Sequence, residues 1–500
     1  MNDLLSRTID TYSPKVNKKI TNGSAEEVLR TFPDFLDTIF KNAMNRLNPS
    51  VQLEYLGYRR VSPEEDYKKN YQKWLDGQQM GKSNAIYDLA GSDVYPIELR
   101  FTYMGVAMNR LLYLPFANKG NLLTISDTKY NIVPVLSDNV ISPSSKSIFI
   151  RLLIDKITFN SKHKNFIVNG IKIPGEVIHS PILRTNTKKL KDNIGKPLVA
   201  TSLYLAAVYG LRGALIKYSK LEHNDIIITN KDVDKYRNEF DVYESTKLKP
   251  RGLLVTGYLG HNIKICIRKS KVNSDNKDFI KNYIFGIIYT LDLQPEYEND
   301  VMLMLDKSNE TMFWKVMLGR VTFKNAYSVE RMLSLIEEHI GLLEYYIDDY
   351  IRMKLQQTNI IIDDFFDLLH YILKNFNILT RNSIYYNSDI NNRYIDMTYY
   401  LLFDIISGFN RVIMNLNKRA AKKANLDNKN LTENEVKTTF KDELSPKKIF
   451  RLVKAAAMNL AMSVASTSSD NMYTKLTVML EDRNWSSLNV SNCGNTLRAS

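Results

Sequence analysis

Five hundred residues, 44% hydrophobic and 24% charged, with 20 Gly and 14 Pro, leave room for several domains with a sizeable buried core and exclude a collagen-like or broadly disordered chain. Two distant cysteines, Cys266 and Cys493, exclude a disulfide framework and any Cys-based zinc finger, so a reducing compartment is the default. The 68 Lys and Arg against 54 Asp and Glu leave a net charge of +14, which favours a polyanionic partner, with nucleic acid ahead of an acidic protein neighbour.

Met1 to Asp10 carries charges at Asp3, Arg7 and Asp10 and lacks the apolar run of a secretory signal, so the chain starts as a cytosolic protein would. Val28, Leu29, Phe32, Phe35, Leu36, Ile39 and Phe40 recur at helical spacing around Pro33, which predicts a short kinked helix over 25–44. Alternation predicts strands over 51–60 and 96–103 on either side of a polar, exposed excursion from Glu64 to Ser83. Further strands are predicted at 121–125, 131–136 and 147–154, leading into a segment, 146–196, with eleven Lys and Arg against three acids. A helix is predicted over about 198–218. Its apolar part, Pro197 to Leu211, is too short for the roughly 20 apolar residues a bilayer needs and reads as buried.

Strands near 224–229, 252–257 and 262–268 follow, with Gly257, Gly260 and Asn262 as turn residues. From Ser328 onward two apolar stripes, Met332 to Ile351 and Phe365 to Phe376, predict an αα-hairpin, and Asn377 to Asn392 is polar. A long helix from about Asp396 to Ala424 ends in Lys418, Arg419, Lys422 and Lys423, cations that complement a helix C-terminus, before a break at Asn425 to Leu431. Ser445 followed by Pro446 predicts an N-cap and first-turn proline of a helix reaching about Ala465.

Asp363-Asp364-Phe365-Phe366-Asp367 spells DDxxD, a pattern that can hold magnesium against a diphosphate. A prenyl-diphosphate site needs a second acidic cluster across an apolar cavity. The nearest acids, Glu344, Asp348 and Asp349, belong to a helix whose other face is core. Residues 331–370, with eight acids and three bases, therefore read as a solvated acidic face or a docking surface for a basic partner, and no metal is assigned. Gly77 to Ser83 is one residue short of a phosphate loop and follows no strand. Asp232-Val-Asp234 is a lone DxD that reads as loop, the six histidines never fall at ligand spacing, and no GxSxG is present. In the last predicted helix Lys447, Arg451 and Lys454 share one side, while Phe450, Val453, Ala457, Leu460 and Val464 gather on another. A Ser-rich loop follows, then Lys475 and Arg483. These five cations suit contacts with nucleic-acid backbone as well as a solvated surface.

Asp389-Ile-Asn-Asn392-Arg393-Tyr-Ile-Asp396, followed by a long helix with Phe403 and Phe409-Asn410-Arg411, resembles the segment of multisubunit RNA polymerase beta subunits that reads D-x-x-x-N-[KR]-R-[LI]-D before a comparable helix. Pro446 to Ser469 resembles the next helix and the loop that lines the RNA–DNA hybrid. Phe35 to Tyr58 is similar to the beta opening, and Gly120-Asn-Leu-Leu-Thr-Ile-Ser126 to a strand near it. Departures include Asn391 where the family has glycine and Asp127-Thr-Lys129-Tyr in place of N-G-x-E-[KR]. The chain stops at Ser500, before the beta C-terminal half with its active-site lysines, and has no NADFDGD string.

The resemblance implies the N-terminal half of a split beta subunit of a phage DNA-directed RNA polymerase, α+β and multidomain with a helical C-terminal part. Residues 1–145 plus 379–480 would form a discontinuous protrusion-like domain, 146–378 a lobe-like domain, and 481–500 a tail. It implies a subunit inactive alone, with no catalytic or cofactor residue of its own and with Mg2+ held by a beta-prime-type partner. The implied partners are a C-terminal beta fragment, beta-prime-type subunits, a promoter-specificity factor, template DNA and the RNA–DNA hybrid, with no membrane. The enzyme would work in the cytoplasm of the infected host or travel packaged in the virion. The alternative is a capsid or portal component with a basic, DNA-facing surface.

Overall fold

A computed structural model describes residues 29–68, 93–116, 122–125, 128–133, 135–152, 156–181, 198–233, 236–245, 263–292, 302, 305, 310–323, 328–343, 345–384, 393–396, 398–427, 431–444 and 477–480. The chain forms two compact units. Unit 1 takes Met1–Asn139, Asp348–Tyr350 and Ile390–Ser500, and unit 2 takes Val140–Ile347 and Ile351–Asp389. Both mix helix and strand.

Unit 1 begins with α1 (Phe32–Met44), which has Pro33 in its first turn. Residues 29–30 are helical as well, so a helix interrupted at Thr31 resumes with Pro33 in its first turn, where the missing N–H has no intrahelical acceptor to lose. Next come β1 (Leu53–Arg60), β2 (Val94–Tyr103) and β3 (Val106–Pro115), an antiparallel sheet in that order whose third strand the sequence reading missed. Then β4 (Leu122–Ile125), β5 (Thr128–Val133) and β6 (Val135–Asp138) follow.

Unit 2 holds an eight-stranded antiparallel sheet built from β7 (Ile141–Pro143), β8 (Ser147–Arg151), β9 (Lys156–Val168), β10 (Ile171–Pro181) and, later in the chain, β11 to β14. The basic 146–196 segment thus contains a long hairpin, β9–β10, turning at Asn169-Gly170 with φ of 52° and 79°. From β11 (Leu198–Ala200) the chain enters α2 (Thr201–Tyr209) and then α3 (Leu211–Ser219). The single helix expected here is two, because Gly210 sits at φ 76°, which a helix cannot accommodate. The apolar half is α2, buried from Thr201 to Ala207. The remaining strands are β12 (Ile226–Thr229), β13 (Phe240–Glu244) and β14 (Lys264–Arg268), while the run predicted at 252–257 lies outside the described residues.

Helices α4 (Lys277–Asp292), α5 (Glu310–Thr322), α6 (Val329–Leu343), α7 (Asp349–Gln357) and α8 (Phe365–Arg381) follow. Phe285 of α4 stacks on Phe166 of β9 at 3.9 Å and 2°, which fixes that helix on the sheet. The expected αα-hairpin is corrected by α7. The N–H of Tyr346 turns back to the Leu343 carbonyl, so the apolar stripe that reads as one helix through Ile351 is broken. The stretch taken as polar from Asn377 is helical as far as Arg381.

The C-terminal part of unit 1 comprises β15 (Arg393–Asp396), α9 (Thr398–Asp427), α10 (Glu433–Glu443) and β16 (Thr477–Leu480). Strand β15 pairs with β6, and β16 pairs with β5. The long helix therefore starts at Thr398, after a strand. Its Phe409 lies 4.1 Å from Phe40 of α1, and Phe440 of α10 lies 4.8 Å from Phe101 of β2. The Asn417 amide donates to the Arg46 carbonyl and accepts from the Asn48 N–H, both at 2.8 Å. Sequence-distant ends of the chain thus share one aromatic core. Among the described residues no helix is long and apolar enough to cross a membrane.

Candidate nucleic-acid interface

The five cations singled out by sequence, Lys447, Arg451, Lys454, Lys475 and Arg483, lie outside the described residues, as does Asp389 to Asn392 of the resembling segment. What is described is the frame on either side. Helix α10 ends at a buried Leu444, and the described chain resumes in β16.

That frame is fastened by cations of α9 and of the β1–β2–β3 sheet. Arg419 donates to the Glu435 carbonyl at 3.1 Å and to Thr439 Oγ1 at 2.8 Å, and Lys423 pairs with Glu435 at 2.7 Å. Arg411 pairs with Glu443 at 2.7 Å and also reaches Ser407 Oγ. From the sheet, Arg110 donates to the Lys437 carbonyl at 2.6 Å, and Tyr103 Oη to the Leu431 carbonyl at 2.5 Å. Part of the basic cluster at the end of α9 is therefore committed to holding α10. Thr432 and Glu435 form a capping box at the start of α10. The Lys423 hydrogen bond, helped by the Thr432 N–H, lowers the Glu435 carboxyl to about 2. The T-x-x-E string at 432–435 was the signal that could have found this helix.

The DDxxD string does other work. Asp364 caps α8 by accepting the Asp367 N–H at 2.7 Å, and the Asp363 carbonyl accepts from Arg352 at 3.0 Å. Asp367 accepts from Tyr218 Oη at 3.0 Å. Lys217 donates to Tyr209 Oη at 2.8 Å and lies 4.2 and 4.9 Å over the Tyr209 and Tyr218 rings. These side chains tie α3 to α8. The picture of 331–370 as a solvated acidic face is corrected at two positions. Asp348 is buried, and Asp349, which like Asp348 belongs to unit 1, pairs within that unit with Arg46 at 3.0 Å, which lets a carboxylate sit away from water.

Among the described residues no group of three or more His, Cys, Asp or Glu is placed to hold a metal ion. Gly77 to Ser83 and Asp234 lie outside them. Burial lowers His179, His339 and His370 to about 4, so these imidazoles are neutral near pH 7. Burial also pushes the Cys266 thiol up to about 11, the behaviour of an inert core cysteine.

The close polar contacts named above are caps, clamps and core pairs. Over residues 2–493 the chain matches the family described as non-virion RNA polymerase subunit, and it belongs to that family. It is thus a subunit of a viral RNA polymerase that works with other subunits. No curated protein matches it.

Proposed function

We propose that this chain is the N-terminal, beta-type piece of a split beta subunit in a phage multisubunit DNA-directed RNA polymerase, where it forms one side of the nucleic-acid channel. The family match over residues 2–493 carries the reading. The beta-type role is supported by the order of features: β15 with Arg393 and Asp396 leads into the 30-residue α9 with Phe409-Asn410-Arg411, as in the beta segment it resembles. The discontinuous make-up of unit 1 supports a protrusion-like domain interrupted by a lobe-like one. The description "non-virion" favours work in the infected host over packaging and disfavours the virion structural alternative.

Nucleotidyl transfer in such an enzyme uses magnesium held by the beta-prime-type partner. This chain's share is positional. Lys447, Arg451, Lys454, Lys475 and Arg483 would meet phosphates of template and hybrid, while α10 and β16 anchor the chain on either side of the first four. The test is reconstitution. The chain alone should make no RNA and should restore synthesis only with the C-terminal beta fragment, the beta-prime-type subunits and the promoter-specificity factor. Changing Lys447, Arg451 and Lys454 together to Ala should weaken template retention at all sequences alike and lower the salt slope by about one unit per lost contact. RNA synthesis by the pure single chain would sink the subunit reading. A triple variant that assembles and holds template at high salt like wild type would sink the channel assignment.

A further inference from the structure

We propose that Gly408, Arg411 and Glu443, at the corner where α10 ends against α9, are positioning residues: they fix the point from which the chain leaves the frame and so set where Lys447 meets the nucleic acid. This role rests on the channel reading above and adds to it the residues that act through Lys447.

Helix α10 is held well before its last turn. Its start carries the Thr432–Glu435 capping box, Arg419 and Lys423 of α9 bind at Glu435 and Thr439, and Phe440 is buried beside Phe101. A second set of contacts falls on the last two residues alone. The Glu443 carboxylate accepts from Arg411 Nε at 2.7 Å through one oxygen and from Asn415 Nδ2 at 3.4 Å through the other. Arg411 Nη1 donates in turn to Ser407 Oγ, one helical turn back along α9. Leu444 is buried, and its N–H closes on the Phe440 carbonyl at 2.8 Å.

Gly408 shows how closely this corner is set. A Cβ built on it would lie 3.0 Å from the Glu443 carbonyl oxygen and 3.1 Å from Leu444 Cδ2, tighter than nine in ten real Cβ contacts. Glycine inside a helix is destabilising relative to alanine, because it gives up more backbone freedom on folding. Well inside the 30-residue α9, a better helix former is thus forgone at the place where a side chain would lift the end of α10 away. The Arg411 cation beside that end also complements the unpaired carbonyls of the last turn.

Covalent geometry turns the corner into a limit on one of the five cations. A residue spans at most about 3.6 Å of extended chain. Lys447 is three residues past Leu444, so by any path its Cα lies within about 11 Å of the corner, whereas Arg451 and Lys454, seven and ten residues on, can range to about 25 and 36 Å. A cation held near its phosphate binds at lower entropic cost than one on a chain free to swing. The corner therefore acts on Lys447 before any other of the five.

The test uses the reconstituted polymerase and reads the salt dependence of template retention. Glu443→Ala and Gly408→Val should each lower the slope by about one unit, as Lys447→Ala does, and neither should lower it further in a Lys447→Ala background. The sign separates positioning from plain charge, since deleting a carboxylate near phosphates would by itself strengthen retention. One variant removes a carboxylate and the other adds carbon, so failure of one chain to fold leaves the other decisive. An unchanged or steeper slope in both variants, failure of both to assemble, or an equal loss with and without Lys447 would overturn the proposal, because a purely structural corner acts without regard to Lys447. The two readings fail differently. If Lys447→Ala leaves the slope unchanged, the channel assignment of Lys447 falls and the positioning role with it; if Lys447→Ala lowers the slope and the corner variants do not, only the positioning role falls.

Discussion

Helices α2 and α4 of unit 2 cross so closely that a single methyl group decides whether they fit. A Cβ built on Gly286 would lie 2.8 Å from Ser202 Cβ and nearer still to its Oγ, inside the 3.0 Å below which real Cβ contacts do not occur. Hydroxyl rotation relieves the second contact but not the first, because Cβ is fixed by the helix backbone. Helix propensity alone would make Gly286→Ala stabilising by about 1 kcal/mol. Overpacking a close helix crossing costs about 1–3 kcal/mol, so the net effect should be a loss of up to about 2 kcal/mol. Ser202→Ala leaves Cβ in place and should rescue little. Ser202→Gly removes both atoms, so the double variant should recover to within about 1 kcal/mol of wild type, with a coupling energy of about 1–3 kcal/mol. Trp314 is fully buried in α5 of the same unit and reports its unfolding by fluorescence once Trp74 and Trp485 are changed to Phe. For a unit of this size each 1 kcal/mol moves the midpoint by about 2–4 °C. A Gly286→Ala midpoint at or above wild type, or a double variant no better than Gly286→Ala, would show that the helices are not this close.

Phe409→Ala should cost about 3–5 kcal/mol in unit 1, since it removes the ring packed at a tilt against Phe40, and should leave the Trp314 transition of unit 2 unmoved; a common shift of both would contradict two separate cores. His179, His339 and His370 belong to unit 2 and titrate near 4 when folded against 6.5 as free side chains, so their contribution is complete above pH 6.5 and is lost as pH falls from 6.5 through 4. A pH series of Trp314 melting curves should show that decline, and His339→Phe should make it shallower. Glu435, held at about 2 against 4.5, supports α10 fully above pH 4.5 and stops doing so as pH falls through 2; Glu435→Gln should raise hydrogen exchange in α10 at pH 7, and unchanged exchange would refute the clamp.

How much of the fold was legible follows from which faces meet water. Strands β1 and β2 and the long helix α9 each have one wet and one dry side, so their periods survive in the sequence. Helix α4 is buried nearly all round, from Phe279 to Leu291, and with no polar stripe its 3.6-residue period disappears into an apolar run. The β9–β10 hairpin did leave a local mark, Asn169-Gly170, the strongest short-range hairpin signal there is. It was outweighed by the segment's charge, which the structure spends partly at home: Lys164 pairs at 2.6 Å with Asp292, whose side chain is 2% exposed.

The candidate site was legible only as a supply of cations, and composition cannot say which of them are already engaged. Arg411, Arg419 and Lys423 look as available in sequence as Lys447 or Arg451, yet each is tied to α10 by an acceptor 12 to 32 residues away. Such pairings depend on how α9 and α10 cross, which is set by Phe409, Phe440 and the sheet beneath them and by no local pattern. The same reasoning identifies what remains for a partner. Lys423 and Arg411, each with a carboxylate at 2.7 Å, and Arg419, with a carbonyl at 3.1 Å and a hydroxyl at 2.8 Å, have fewer donors left for a phosphate, whereas Arg100, exposed on the sheet with no ion pair among the described residues, keeps its donors.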